Sequence, residues 1–252
     1  GSDVARIQTK ARKDGDDYVI SGSKLWITSG PHAGLFVVWA RTNDKPGTAG
    51  VSAFLVRGDA PGVEAGKPEE KLGQHGSPTT ALNFTDVEVG EDALLSEEGR
   101  GFRIAMMALD GGRVGISSLA LGIGLAATDA AVSYAKERKQ FGRPIGSFQA
   151  IQWMLADNDT EMDAARLLAL RAAWLKDQGK PFSREASIAK LYASERAFWA
   201  CNRAIQVHGG YGYTREYDVE RYLRDVRVTS IYEGTSEIQR IVIARDIARR
   251  FA

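Results

Sequence analysis

The stretch "IYEGTSEIQR", residues 231–240, holds a carboxylate that helix chemistry alone does not explain. Ser236 and Gln239 have the S-x-x-Q spacing of a capping box, in which each side chain satisfies the other residue's orphan backbone donor. Ile238, Ile241, Val242 and Ala244 then follow at helical spacing. Capping leaves out Glu233, which precedes the cap between Tyr232 and a flexible Gly234. Such a carboxylate is either a solvated residue near a helix start or a general base that the fold desolvates and aims.

Three other segments carry groups suited to a ligand. In "KLWITSG", Trp26 reads as a half-buried aromatic or as a wall for a flat ring, with Thr28 as a hydrogen-bond donor to it. "ERKQFGRPIGSFQ", 137–149, reads as a helix end: Gly142 stops the helix, Pro144 prevents its resumption, and Arg138 and Lys139 complement the dipole in the last turn. The same basic residues beside Phe141 also suit a phosphate-bearing ligand. "QVHGGYGYTREY", 206–217, has three glycines where a helix C-cap needs one, which suggests that something approaches the backbone closely.

Other chemistries find no support. His32, His75 and His208 are scattered, with no second ligand at metal spacing, so no metal is expected. No G-x-S-x-G elbow occurs. "GIGLAA", Gly122 to Ala127, has the form of a dinucleotide fingerprint but lies inside a helical pattern without a preceding strand, so close helix packing explains it better. The lone Cys201, among Ala197, Ala200 and Ala204, reads as a core thiol and fits a reducing compartment. Lys and Arg number 33 against 32 Asp and Glu, so no basic field argues for nucleic acid. The apolar run 114–132 contains three glycines and Asp129, which points to a buried helix and no membrane partner.

The elements that must position these groups change period along the chain. Residues 3–90 read as strands, with turn residues roughly every eight to twelve positions. A hairpin turn is expected at Ser21-Gly22-Ser23, and in "TTALNFTDVEVG" the alternation of Leu82 and Phe84 with Val87 and Val89 is displaced by one residue. From Phe102 the period is helical, and five helices follow. The clearest has Ala186, Ala189, Ala193, Ala197, Ala200, Ala204 and Val207 at steps of three and four, a small-residue seam for a bundle interior. The expectation is α+β and multi-domain: an antiparallel β sandwich or barrel-like domain over 1–96, then an up-and-down helical bundle over 97–252, with the boundary at "LSEEGRG".

Together, "KLWITSG", "ERKQFGRPIGSFQAIQ", "QVHGGYGYTREYDVERYLRD" and "IYEGTSEIQR" stand in the order and approximate spacing of the acyl-CoA dehydrogenase family, and the resemblance runs from Gly1 to the C-terminus. It implies a flavoprotein with a middle β-domain and a C-terminal helical domain, of which this chain is a fragment lacking the N-terminal helical domain and the start of the β-domain. It implies FAD, with Trp26 and Thr28 near the reactive ring and Arg138, Phe141 and Gln149 reaching the FAD of a neighbouring subunit. Gln206, Gly209 and Gly210 are implied along the adenosine end, as are Thr235 and Glu237 at a helix N-terminus that favours phosphate. Ser2, Asp110, Arg113 and Gly234 are implied at the acyl-CoA. Some family members carry the catalytic glutamate on the first long helix, just before the arginine of an "LDxxR" segment. In "LDGGR" that place is Gly112, which leaves Glu233 as the implied base.

The resemblance then implies α,β-dehydrogenation of an acyl-CoA to the trans-2-enoyl-CoA, with electrons passed to electron-transfer flavoprotein. Short or branched acyl chains, a homo-oligomer (dimer or tetramer), and bacterial cytoplasm or mitochondrial matrix are expected. The rivals are a related flavin oxidase of another acidic carbon, and a non-enzymatic scaffold, assembly factor or nucleic-acid binder of the same family.

Overall fold

The computed structural model describes residues 2–3 and 6–251. Two compact units, Gly1–Ala108 and Leu109–Ala252, divide within one long helix.

The first unit is a six-stranded sheet built from β1 (Lys10–Asp14), β2 (Asp17–Thr28), β3 (Leu35–Arg41), β4 (Val51–Arg57), β5 (Val63–Ala65) and β6 (Thr79–Val89), in the order β4-β3-β1-β2-β6-β5. β1 and β3 are parallel, pairing Lys10 with Arg41, and the other neighbours are antiparallel. Side chains alternate across a strand, so the apolar run of β3 buries only Phe36, Val38 and Ala40 and leaves Leu35 and Val37 exposed. The buried set joins Tyr18, Ile20, Phe54, Val56, Leu82, Phe84 and Val87 in one core.

The turn expected at Ser21-Gly22-Ser23 is not there. β2 runs straight through it, and the hairpin turns at Gly15-Asp16, where Gly15 supplies φ 62. Gly22 instead permits close approach, because a Cβ on it would lie 2.8 Å from the Cα of Thr9. The displaced alternation in β6 is a β-bulge: β2 advances two residues from Ile20 to Gly22 while β6 spans three between Phe84 and Val87. A second irregularity puts the extra residue on β2, between Lys24 and Ile27.

The helical half has α1 (Gly101–Glu137), α2 (Gln149–Asp177), α3 (Ser183–His208), α4 (Val219–Val226) and α5 (Ser236–Arg249). The alanine seam of α3 is buried throughout, in a core shared with Ala120, Ala127, Ala131 and Ala135 of α1 and with Met162 and Ala165 of α2. Gly124, inside "GIGLAA", packs a helix crossing, since a Cβ there would meet the sulfur of Met162 and lie 3.1 Å from Cβ of Ala197. α1 is long and apolar enough to cross a membrane by length and composition, and its alanine stripe lies in the bundle core. Cys201 is fully buried, and burial pushes its thiol up to about 12.

Between α1 and α2 the expected helix stop takes another form. The helix ends at Glu137, and Lys139–Gln140 (β7) pairs with Arg143–Pro144 (β8) around Phe141 and Gly142, at φ 52 and 79. Two successive left-handed residues make a tight hairpin turn, and a Gly with a Pro two residues on suits that as well as a helix end.

Candidate functional site

Glu233 sits on the loop that enters α5, where it and Gly234 are successive left-handed residues at φ 52 and 87. Glycine takes that conformation freely, but a glutamate in it costs on the order of 1–3 kcal/mol and needs holding. Nε2 of Gln239 donates to the carbonyls of Glu233 at 3.1 Å and Gly234 at 2.8 Å. Nζ of Lys190, reaching over from α3, donates to the same Gly234 carbonyl at 2.7 Å. The cap of α5 is Thr235, whose hydroxyl accepts from the Ile238 N–H at 3.4 Å. This corrects the expected Ser236–Gln239 box: "TSE" offers two equivalent hydroxyls, and the loop's tethers set the register one residue earlier. Ser236 is the first helical residue, its buried Oγ lacks a hydrogen-bond partner, and Gln239 serves the loop.

The carboxylate lies against α1 at Gly112. A Cβ built on Gly112 would fall 2.5 Å from Oε2 of Glu233 and 3.0 Å from its Cδ, so a side chain at 112 and this carboxylate exclude one another. The next residue, Arg113, is 4% exposed. Its Nη1 donates to Asp110 at 2.8 Å and to Ser187 at 3.4 Å, and the same Asp110 oxygen accepts from Ser183 at 3.0 Å. Nε of Arg113 is buried without a hydrogen-bond partner, and Nη2 lies 3.8 Å from where a Cβ on Gly234 would sit.

Burial raises the pKa of Glu233, while the Arg113 and Lys190 cations partly offset the rise. Lys190 is itself lowered to about 8, first by burial and then by Arg113, with Glu233, Glu237 and Glu195 opposing. A desolvated carboxylate acted on by two cations has the setting that a general base requires, and such perturbed groups cluster at functional sites. The structure thus brings together Glu233, Gly234, Asp110 and Arg113. Sequence reasoning missed Lys190 and the role of Gln239. The signal for Lys190 was present: a lysine beside Ala189 on a helix whose small-residue face is the core is a buried charge in need of a partner.

The other candidates of the helical unit lie on exposed features. Arg138 follows α1 with its guanidinium 5.6 Å from the Tyr211 ring centroid. Phe141, at the hairpin tip, is 92% exposed, and Gln149, the first residue of α2, is exposed too. Gln206 is exposed near the end of α3. The glycines after it differ: Gly209 caps the helix at φ 62, a Cβ on Gly212 would strike the carbonyl of Ile205 at 2.5 Å, and Gly210 has neither constraint. Below this turn His208 is buried, stacked on Tyr134 at 4.3 Å, and burial pushes its pKa down. Glu237 is exposed on the first turn of α5, held below the usual carboxylate range by its own backbone amide and the Thr235 hydroxyl.

In the sheet unit, Trp26 occupies the irregularity of β2 at φ 63 and is 68% exposed. Thr28 ends the strand opposite Thr79 and, like Ser2, is exposed. Among the described residues seven non-glycines have positive φ, and Trp26, Phe141 and Glu233 are three of them. Strained backbone therefore falls on three candidate residues in separate elements.

Comparison with known proteins gives one answer along the whole chain. The family model described as the acyl-CoA dehydrogenase middle domain matches residues 1–87, and that described as the C-terminal domain matches residues 99–248. The chain is 52% identical over 250 residues to a probable acyl-CoA dehydrogenase of Bacillus subtilis, covering 99% of this chain and 66% of that protein. It is 50% identical over 251 residues to the mitochondrial short-chain specific acyl-CoA dehydrogenase of Bos taurus, covering 100% and 61%. The solved structure of butyryl-CoA dehydrogenase from Megasphaera elsdenii superposes with a TM-score of 0.97 at 46% identity, over 98% of this chain and 65% of that one. The chain spans about two thirds of the length of the curated relatives it matches.

Proposed function

The chain belongs to the acyl-CoA dehydrogenase family, and from that premise we propose that it serves the α,β-dehydrogenation of a short-chain acyl-CoA with Glu233 as the base. The observation that carries this reading is the seating of the Glu233 carboxylate against side-chain-free Gly112, beside Arg113 and Lys190. Oε of Glu233 takes the proton α to the thioester carbonyl, and the electrons of that C–H bond form the new double bond. The backbone N–H of Glu233 is offered to the thioester oxygen, where an oriented donor in a dry site is worth about 3–4 kcal/mol. Asp110 and Arg113 would border the acyl-CoA, as would Ser2.

FAD, when bound, would supply the acceptor for the hydride that leaves the β carbon. The residues present fit it. Trp26 and Phe141 are large apolar surfaces held outward at energetic cost, as a flat ring requires. Cβ atoms on Gly209 and Gly210 would meet nothing within 4 Å, leaving backbone open to a close approach. Trp26, Thr28, Gln206, Gly209, Gly210, Thr235 and Glu237 would hold it, and Arg138, Phe141 and Gln149 would reach the FAD of a neighbouring subunit. Electron-transfer flavoprotein would accept the electrons. Self-association is supported by the exposed apolar stripe of Trp153, Leu167, Leu170 and Trp174 on α2.

The test is turnover of a panel of acyl-CoA esters with a dye acceptor. Glu233→Gln should retain flavin and fold but lose about 10²–10⁴-fold in kcat, the usual worth of a positioned base. Wild-type turnover in that variant refutes the assignment.

A further inference from the structure

We propose that Lys190 is a positioning residue for the reaction: from α3 it pins the left-handed loop that carries Glu233 and places positive charge beside that carboxylate. This rests on the function proposed above. The geometry is specific. Lys190 is completely buried, yet its Nζ is spent on a single backbone carbonyl, that of Gly234, at 2.7 Å. A buried lysine without a carboxylate salt bridge is an expensive way to satisfy one carbonyl that Gln239 already reaches at 2.8 Å. What a neutral donor would not provide is positive charge beside Glu233.

The charged groups that face Lys190 are Arg113 from α1, Glu233 from the loop, Glu237 from α5 and Glu195 from its own helix. Arg113 is committed to Asp110 at 2.8 Å, so its charge is shared. Lys190 is the cation not claimed by another side chain. The pair of cations partly offsets the burial of Glu233, and the Lys190 bond to Gly234 holds the loop that seats its carboxylate against Gly112.

The test is the pH dependence of kcat/KM with butyryl-CoA and a dye acceptor, in the flavin-loaded enzyme, for wild type, Lys190→Met and Lys190→Arg. Lys190→Met should lower kcat about tenfold with little change in KM, and should move the acidic limb of the profile up by about one pH unit, the size expected when a close opposite charge is removed. Lys190→Arg restores the charge and should return the limb towards its wild-type position. A Lys190→Met enzyme whose Tm or flavin content falls while its acidic limb stays put has lost only structure, and that result overturns the proposal. Where Lys190→Met yields no folded protein, Lys190→Gln, which retains a donor without charge, is read in the same way. Glu233→Gln run in parallel separates the two levels. If it remains active, the function proposed above fails. If it is inactive and Lys190→Met matches wild type, only the role of Lys190 fails.

Discussion

The two units each contain a lysine withdrawn from water, half-buried in the sheet and fully buried in the bundle, that donates to one backbone carbonyl, and the difference between them separates structure from chemistry. In the sheet, Nζ of Lys24 on β2 reaches the carbonyl of Trp39 on β3 at 2.6 Å, and burial alone lowers its pKa to about 8. In the bundle, Lys190 reaches Gly234 at 2.7 Å and is also lowered to about 8, but there a second cation and three carboxylates act on it. Lys24 joins two strands and is a cross-brace. Lys190 holds a loop whose side chain is acidic, and a similar bond then also acts on a neighbour's protonation. A buried lysine therefore becomes informative about function through the groups around it, and its pKa alone would not distinguish the two.

The sharpest way to break this contrast is to evict the carboxylate that creates it. Gly112→Val places a side chain where Oε2 of Glu233 now lies and should cost at least about 10²-fold in kcat, within the range for loss of a base. Circular dichroism should show helix content unchanged, because Val is a better helix former than Gly. Full turnover in a folded Gly112→Val protein would mean that Glu233 works from some other place.

A smaller effect is expected from the neutral tether. Gln239→Leu removes both amide bonds to the Glu233 and Gly234 carbonyls but no charge. A roughly tenfold loss of kcat with the acidic limb in its wild-type place would show that tethering and charge are separable. A shifted limb would assign the electrostatic effect to loop geometry.

The smallest functional effect belongs to the sheet lysine. Lys24→Met leaves the Trp39 carbonyl without this donor and should reduce stability by about 1–3 kcal/mol in denaturant titrations while leaving the acidic limb untouched. The sign of its pH dependence follows from linkage. A lysine lowered from 10.5 to about 8 on folding binds fewer protons in the native state between those values, so its contribution improves as pH rises from about 8 to 10.5. Below about 8 the cost of burying the charge is fully present, so the wild-type advantage over Lys24→Met should be greater at pH 10 than at pH 7.

Much of this was legible in the sequence where one residue type answers to one constraint. The alanine seam marked the bundle interior because close helix packing admits little else. The slipped alternation in "TTALNFTDVEVG" marked the bulge because side chains must keep facing one core. Glu233 stood out because capping left it unexplained. The failures came where one residue type answers to several constraints. Gly22 serves a close approach and reads like a turn, Gly142 and Pro144 serve a hairpin and read like a helix stop, and Thr235 and Ser236 compete as equal caps. Lys190 was legible only as a charge on the core face of α3; its partners come from α1, α5 and a loop, and only the assembled bundle places them within its range.

The burial of Cys201 has a practical side. The only sulfhydryl in this sequence is sealed inside the bundle and disfavoured as a thiolate. Reagents that seek thiols thus meet it only when the helices part, so the rate of its modification is a clock for that opening, already installed without any engineered label.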